Sequence, residues 1–216
     1  MARYSVVLFD LDGTLTDPKD GIIKSLQYAL IKLGIDPPSP DALLPFIGPP
    51  LRETLAQQYR IGPAAVSRAI AYYREYFSAR GMYDNHVYEG IPSLLHALKN
   101  TSRHLVVATS KPTVFAEQIL THFGIRMFFD HVVGSNLDGS RSAKSDIIAW
   151  ALRRYYPDIR DAVMIGDRLH DVVGAQDNAI DSIAVTYGYG SLAELTAANP
   201  TYMAPTVDDI ALILAR

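Results

Sequence analysis

The chain has 216 residues, of which 49% are hydrophobic and 20% charged, and this composition is typical of a globular protein with a sizeable buried core. Its net charge of -3 provides no basic face for a polyanion, so polymeric nucleic acid is not an expected partner. The absence of cysteine excludes disulfides, thiolate catalysis and thiolate metal sites. We find no signal-peptide pattern and no apolar stretch of bilayer length, so we expect a cytoplasmic protein without membrane contact, either a monomer or a homodimer.

The first informative segment is the apolar run from Val6 to Phe9, which predicts a buried strand. Asp10 ends this run, Asp12 stands two residues further on, and Gly13 permits a sharp turn. Two carboxylates this close repel each other unless a cation holds them or one is protonated. The pattern favours an aspartyl nucleophile beside a general acid, both near a divalent metal. An ordinary turn built on Asp-Gly is the alternative interpretation.

The next seventy to eighty residues have a helical pattern throughout. Pro37, Pro38 and Pro40 interrupt the pattern after the first helix. We interpret residues 17–87 as a helical cap domain inserted into a core formed by residues 1–16 and 88–216. Two apolar stripes with helical spacing support this reading: Ile22, Ile23, Leu26, Ala29, Leu30 and Leu33, then Val66, Ile70, Tyr73 and Phe77.

After the helical segment, short apolar runs alternate with helical patterns. Their continuous apolarity predicts strands that are covered on both faces, as in a parallel sheet. We therefore expect an α/β fold, a doubly wound parallel sheet of Rossmann type, with ligands at the carboxyl ends of its strands. The runs are Leu105 to Ala108, His131 to Val133, Ala162 to Ile165 and Ser182 to Val185; the stripes are Val114, Ile119, Leu120 and Phe123, then Ile147, Ile148, Ala151, Leu152 and Tyr155.

Polar residues that could hold a phosphate follow the second of these core strands. Thr109 and Ser110 precede a proline at a predicted helix start, where free backbone N–H groups favour an anion; capping of the helix is the alternative. Lys111 either adjoins this phosphate pocket or only closes the helix start. Lys144 stands at another helix start, where the helix dipole disfavours a cation unless an anion lies nearby.

A second carboxylate-bearing strand end comprises Gly166, Asp167 and, four residues on, Asp171. Carboxylates at this spacing can face the same way on the first turn of a helix. Oxygen ligands without cysteine or a histidine cluster favour Mg²⁺ over zinc. The alternative is a helix cap at Asp167 with Asp171 as a surface charge. The turn from Tyr187 to Gly190 either borders the site or is a plain loop.

In this order and at these strand ends, the motifs resemble those of the haloacid dehalogenase superfamily of phosphohydrolases. Residues 10–16 match its first motif, Thr109 the second, Lys144 the third, and Asp167 with Asp171 the fourth. The helical insertion is similar to the small helical cap of that family. Residues 109–112 and 186–189 are similar to the phosphoglycolate phosphatase-like branch, and residues 47–51 and 84–88 to a bacterial 5′-nucleotidase subgroup.

The resemblance implies a Mg²⁺-dependent phosphomonoester hydrolase that acts on a small phosphorylated metabolite. Asp10 would be the nucleophile that forms an aspartyl-phosphate, and Asp12 the general acid and base. Mg²⁺ would be held by Asp10, the backbone carbonyl of Asp12 and Asp167. Asp171 would be a further ligand or would orient the others, with Gly166 supporting them. Thr109, Ser110 and Lys144 would bind the phosphate.

The substrate depends on the cap, where Phe46 could support a nucleobase and Arg52 could contact a substrate anion. A nucleoside 5′-monophosphate is the preferred substrate, and phosphoglycolate is the alternative. A sugar phosphomutase would need a second phosphate grip, for which Arg52 is the arginine nearest residues 48–50. A binding protein that has lost catalysis is disfavoured, because every expected catalytic position is filled.

Overall fold

A computed structural model describes residues 3–156 and 161–215. The chain forms two compact units, one of residues Met1–Asp17 and Val87–Arg216, the other of Pro18–His86. Among the described residues, no helix combines the length and apolarity that crossing a bilayer requires. The assignment of the first unit as catalytic core and the second as cap stays a prediction.

The first unit is built on six parallel strands, which are β1 Val6–Phe9, β4 His104–Pro112, β5 His131–Ser135, β6 Ala162–Gly166, β7 Asp181–Val185 and β8 Tyr202–Ala204. Their order across the sheet is β5-β4-β1-β6-β7-β8. The chain moves outward from β1 in one direction through β4 and β5, and then in the other through β6 to β8, so the order reverses beside β1. Such a reversal is where doubly wound sheets bind ligands.

Helices cover this sheet, and the expected α/β doubly wound fold is confirmed. All four residues of β1 are fully buried, as continuous apolarity predicts for a strand covered on both faces. Val6 and Leu8 pack in a core cluster with Ile147 and Ile148. The helices are α4 Ile91–Lys99, α5 Thr113–His122, α6 Lys144–Tyr155, α7 Leu169–Asp177, α8 Leu192–Ala198 and α9 Val207–Leu214, with a short 3₁₀ helix at Arg126–Phe128.

Two details differ from the sequence prediction. Strand β8 was not predicted, because its three residues include the half-buried Tyr202 and Met203 and form no apolar run. The predicted stripe that begins at Val114 was wrong at that residue, which is 41% exposed, while Phe115 and Ala116 are buried. Helix α5 begins at Thr113, and its buried residues Phe115, Ala116, Ile119 and Leu120 form a regular helical stripe that starts one residue after Val114.

The second unit is helical, and its apolar stripes form its interior. Ile22, Leu26 and Leu30 of its first helix are buried, as are Val66 and Tyr73 of its third. The elements are α1 Lys19–Lys32, a 3₁₀ helix Pro40–Phe46, α2 Leu51–Tyr59, α3 Pro63–Tyr76 and a π-helical turn Phe77–Gly81; the chain enters and leaves the unit through short strands β2 Thr16–Asp17 and β3 His86–Val87.

Candidate active site

The ends of three adjacent strands form the candidate site. Strand β1 lies between β4 and β6, with Phe9 paired to both Val107 and Ile165. The backbone N–H of Asp10 donates to the carbonyl of Ile165 at 2.8 Å and so continues the β1–β6 ladder by one residue. The segments that follow β1, β4 and β6 therefore leave the sheet at the same edge.

Three carboxylates from two of these strand ends converge. One oxygen each from Asp10, Asp167 and Asp171 lies within 4.8 Å of the others, and all three residues are buried. Asp171 is thus not the surface charge of the alternative interpretation. Like charges this close in a low-dielectric environment repel strongly, so the cluster requires cations or protons.

Lys144 supplies one of these cations. Its Nζ lies 2.8 Å from Asp10 Oδ1 and 2.8 Å from Asp171 Oδ1, and it donates to the carbonyl of Ala108 at 3.0 Å. Burial disfavours the ammonium, but the charges of Asp10 and Asp171 outweigh it and raise the pKa of Lys144. The positive charge of Lys144 at the start of helix α6 is therefore compensated by two carboxylates, and the side chain is not a solvated surface lysine.

A second lysine faces Asp12. Lys111 Nζ lies 2.9 Å from Asp12 Oδ2, and both side chains are at least nine-tenths buried. Asp12 Oδ1 is also buried and has no hydrogen-bond partner among the residues that the structure describes. Burial raises the pKa of Asp12, with Lys111 opposing and Asp10 adding to the rise. A carboxyl in this environment is suited to holding a proton that it can donate.

Asp167 is positioned by backbone rather than by a lysine. Its Oδ2 accepts a hydrogen bond from the backbone N–H of Tyr189 at 2.7 Å, and its Oδ1 faces the hydroxyl of Thr14 at 3.4 Å. Gly13 allows this approach, because at φ +82° a Cβ there would lie well under 3.0 Å from the Asp167 carboxylate. No cationic side chain within residues 3–156 and 161–215 forms an ion pair with Asp167.

The charge balance of this buried cluster fits a divalent cation. If all its carboxylates are ionised, the lysines leave two negative charges uncompensated, and all the offered side-chain ligands are oxygens. Such hard oxygen donors suit Mg²⁺. The cluster consists of Asp10, Asp12, Asp167 and Asp171 with Lys111 and Lys144.

Protons stabilise the same cluster when no metal is bound. Burial and the neighbouring carboxylates Asp171 and Asp10 raise the pKa of Asp167 well above its ordinary value. Burial raises the pKa of Asp171 to about 6 despite Lys144. A metal ion bound there would displace protons, so its affinity would depend on pH.

The stability of the metal-free protein should therefore fall as pH rises. A carboxyl whose pKa is raised by folding stabilises the folded state fully below its unfolded pKa, which is about 4. This stabilisation is lost as the pH rises through the pKa of the folded state. For Asp171 that pKa is about 6. We expect the difference in Tm between Mg²⁺-saturated and EDTA-treated samples to widen from pH 5 to pH 8. Thermal unfolding at several pH values measures this difference in Tm. A difference that stays constant or narrows as pH rises would contradict the expectation.

Gly166 lies directly behind Asp171. A Cβ at Gly166 would lie well under 3.0 Å from Asp171 Cγ, so Gly166→Ala must displace that carboxylate. Overpacking of this kind costs about 1–3 kcal/mol, which urea unfolding can measure. Gly62→Ala is the matched control, because a Cβ there meets nothing within 4 Å and should cost less. Equal losses for the two variants would show that the contact with Asp171 is unimportant.

The other predicted site residues fall in two places. Thr109 is buried at the end of β4, where its hydroxyl accepts from the N–H of Lys111 at 3.3 Å; Ser110 donates to the carbonyl of Ser142 at 3.1 Å. Arg52 and Phe46 belong to the helical unit. The Arg52 guanidinium is exposed and lies 3.4 Å from the hydroxyl of Ser67, whereas the Phe46 ring is buried and packs against Tyr59 at a centroid distance of 6.1 Å.

The sequence did not decide whether Lys111 and the turn from Tyr187 to Gly190 belong to the site. Lys111 contacts Asp12, and the turn that contains Tyr189 holds Asp167 through a backbone N–H. For Lys111 the only signal was its nearness to Thr109. For the turn, the only signal was its position after the strand that ends at Val185. The structure adds that a Cβ at Gly188 would lie under 3.0 Å from the Asp167 side chain. The turn therefore borders the site.

The sequence profile of the haloacid dehalogenase-like hydrolase family matches residues 7–185, a span that contains all the clustered carboxylates and lysines. The chain belongs to this family. It is a phosphatase of the family, and its relatives and structural neighbours include proteins named as phosphatases.

Two relatives and one solved structure are similar to this chain over nearly all of its length. A 5′-nucleotidase of Pseudomonas aeruginosa is 47% identical over 93% of this chain and 90% of its own. The tyrosine-protein kinase PtkA of Mycobacterium tuberculosis is 41% identical over 95% of this chain and 70% of its own. The crystal structure of a predicted phosphatase from Clostridium acetobutylicum has a TM-score of 0.93 and 48% identity, with 97% of each chain covered.

Proposed function

We propose that this phosphatase is a Mg²⁺-dependent phosphomonoester hydrolase that works through an aspartyl-phosphate on a small metabolite, most favourably a nucleoside 5′-monophosphate. The observation that carries the proposal is the placement of Asp10 and Asp12 at the end of β1. Asp10 lies in a cluster of carboxylates held by Lys144, and Asp12 has one oxygen bound by Lys111 and the other unbonded.

The residues that would hold the metal are Asp10, Asp167 and the backbone carbonyl of Asp12, with Asp171 as a further ligand or an orienting group. Bound there, Mg²⁺ would offset the charge repulsion between a phosphate and the attacking carboxylate. The proximity of the three carboxylates and their uncompensated charge support this assignment.

Asp10 attacks the phosphorus, and the bond from phosphorus to the substrate oxygen breaks. Asp10 Oδ1 contacts Lys144 and accepts a hydrogen bond from the N–H of Leu11 at 2.7 Å, so we assign the attack to the other oxygen of this carboxylate. Lys144, with Thr109 and Ser110, would neutralise charge on the transferring phosphoryl group. The product of this step is the phosphorylated Asp10 side chain.

Asp12 transfers protons in both halves of the reaction. It protonates the departing alkoxide, and then takes a proton from the water that hydrolyses the aspartyl-phosphate. General acid catalysis of this kind contributes roughly 10²–10⁴-fold. A halide leaves without a proton, so the buried, partly unbonded carboxyl of Asp12 favours phosphoester over carbon–halogen hydrolysis.

The 5′-nucleotidase relative supports a nucleotide as substrate. Phosphoglycolate is the second candidate, because the exposed Arg52 guanidinium of the helical unit could pair with its carboxylate. Phe46 is buried against Tyr59, so a nucleobase would need another apolar surface or a movement of that ring. A sugar phosphomutase is less supported than either of these two hydrolases.

The test is release of inorganic phosphate from p-nitrophenyl phosphate, a panel of nucleoside 5′-monophosphates and 2-phosphoglycolate at equal concentration, with Mg²⁺ or with EDTA. We expect turnover only with Mg²⁺ and the highest kcat/KM on a nucleotide. Product analysis with a hexose 1-phosphate distinguishes a mutase, and incubation with ATP and a tyrosine-containing protein distinguishes phosphoryl transfer of the kind named for PtkA. No phosphate release from any compound would refute the proposal.

A further inference from the structure

The backbone around Lys111 is shaped to direct its side chain. The pairing of β4 with β5 shifts register between Thr109 and Pro112, which marks a β-bulge or a related irregularity of the strand. Ser135 of β5 donates through its hydroxyl to the carbonyl of Ser110 at 2.8 Å and fixes the bulged segment. A Cβ at Gly134 would lie well under 3.0 Å from the carbonyl oxygen of Lys111, so only glycine admits this backbone path. Bulges of this kind re-aim side chains next to active sites.

The Lys111 ammonium makes the two oxygens of Asp12 unequal. It lies 2.9 Å from Oδ2 and is itself buried, while Oδ1 has no hydrogen-bond partner among the described residues. An ammonium group has donors and no acceptor, so the oxygen that it faces must accept. A proton on the Asp12 carboxyl is thereby assigned to Oδ1.

We propose that Lys111 is a positioning residue for the hydrolysis reaction, which binds Asp12 Oδ2 so that Oδ1 carries the proton delivered to the leaving group. The proposal rests on the function proposed above. As the bond from Asp10 to phosphorus forms and the bond from phosphorus to the substrate oxygen breaks, the proton on Asp12 Oδ1 moves to that oxygen and yields the alcohol. The Asp12 carboxylate left behind, still bound by Lys111, then takes a proton from the attacking water.

Leaving-group dependence separates this role from general support of the site. Benzyl phosphate releases a strongly basic alkoxide, which needs a proton, whereas p-nitrophenyl phosphate releases a weakly basic phenolate of similar size. Because kcat/KM reports the steps up to alcohol release, Lys111→Met should lower it about 10²-fold on benzyl phosphate and less than about 10-fold on p-nitrophenyl phosphate. Equal losses of kcat/KM on the two compounds would overturn the proposal. Such losses are expected if Lys111 only binds the phosphate or only supports the fold.

A double-mutant cycle with Asp12→Asn tests whether Lys111 acts through Asp12. In the Asp12→Asn background, Lys111→Met should lower kcat/KM on benzyl phosphate by less than about threefold. A full additional loss would overturn the proposal. Lys99→Met is the matched control, because Lys99 forms a comparable pair with Asp130 at 2.6 Å in an exposed position, and it should leave both rates unchanged.

Circular dichroism shows whether Lys111→Met folds. If it does not, Lys111→Gln removes the charge and keeps a donor; a loss confined to benzyl phosphate supports the proposal, and an equal loss or none overturns it. If the proposed phosphatase function itself is wrong, the result is different. The wild-type protein would then release phosphate from neither compound with Mg²⁺.

Discussion

Replacing Asp10 by asparagine is expected to lower kcat on p-nitrophenyl phosphate by at least about 10⁴-fold, as loss of a covalent nucleophile does in other hydrolases. Asparagine has nearly the same shape, and the N–H of Leu11 can still donate to its oxygen. The loss would therefore come from missing nucleophilicity and a missing metal ligand. Steady-state assay with saturating Mg²⁺, beside circular dichroism of the same sample, measures the effect and the fold.

Asp146→Asn is the matched control for this substitution. Asp146 lies on the first turn of α6, two residues after Lys144, but its side chain is exposed. The same chemical change there should leave kcat within about twofold, as for surface substitutions generally. A folded Asp10→Asn protein that keeps more than about a tenth of the wild-type kcat would exclude an aspartyl-phosphate at this residue.

Removing Asp167 is expected to abolish stabilisation by Mg²⁺. A ligand at 100 times its Kd stabilises the folded state by about 2.7 kcal/mol. For a protein of this size that corresponds to a rise in Tm of about 5–10 °C. Asp167→Asn keeps an acceptor for the N–H of Tyr189 but lacks the charge, so its Tm should respond little to Mg²⁺ and its activity should fall with it.

Thermal unfolding of both proteins in EDTA and in a Mg²⁺ series provides the comparison. In EDTA, Asp167→Asn should be at least as stable as wild type, because it removes one of the repelling carboxylates. Asp146→Asn should respond to Mg²⁺ as wild type does. An undiminished Tm shift in Asp167→Asn would place the metal elsewhere.

The sequence was informative for the fold wherever apolarity was continuous. Runs such as Val6 to Phe9 and Ala162 to Ile165 became the central strands β1 and β6, because a strand covered on both faces has no polar side to interrupt the pattern. It failed at the edge strand β8, which is short and half-buried. It also failed at Val114, because the buried helical stripe of α5 begins at Phe115 and leaves Val114 exposed.

For the candidate site, spacing along the chain predicted which carboxylates would be available but not all of their partners. Asp10 and Asp171 were both singled out, as was Lys144, whose position at a helix start required an anion. The contact between Lys111 and Asp12 could not be predicted from the spacing of residues along the chain. It depends on a bulge in β4 and on the glycine opposite it in β5.

The sequence alone determined the α/β class, the order of the core strands' motifs and the residue types at their carboxyl ends, because these depend on local apolarity and on the chemistry of single side chains. The tertiary structure decided which oxygen of Asp12 is bound, and that Asp167 is held by a backbone N–H rather than by a lysine. Both outcomes arise from strand register and close backbone approach between segments distant in sequence, which no local pattern encodes.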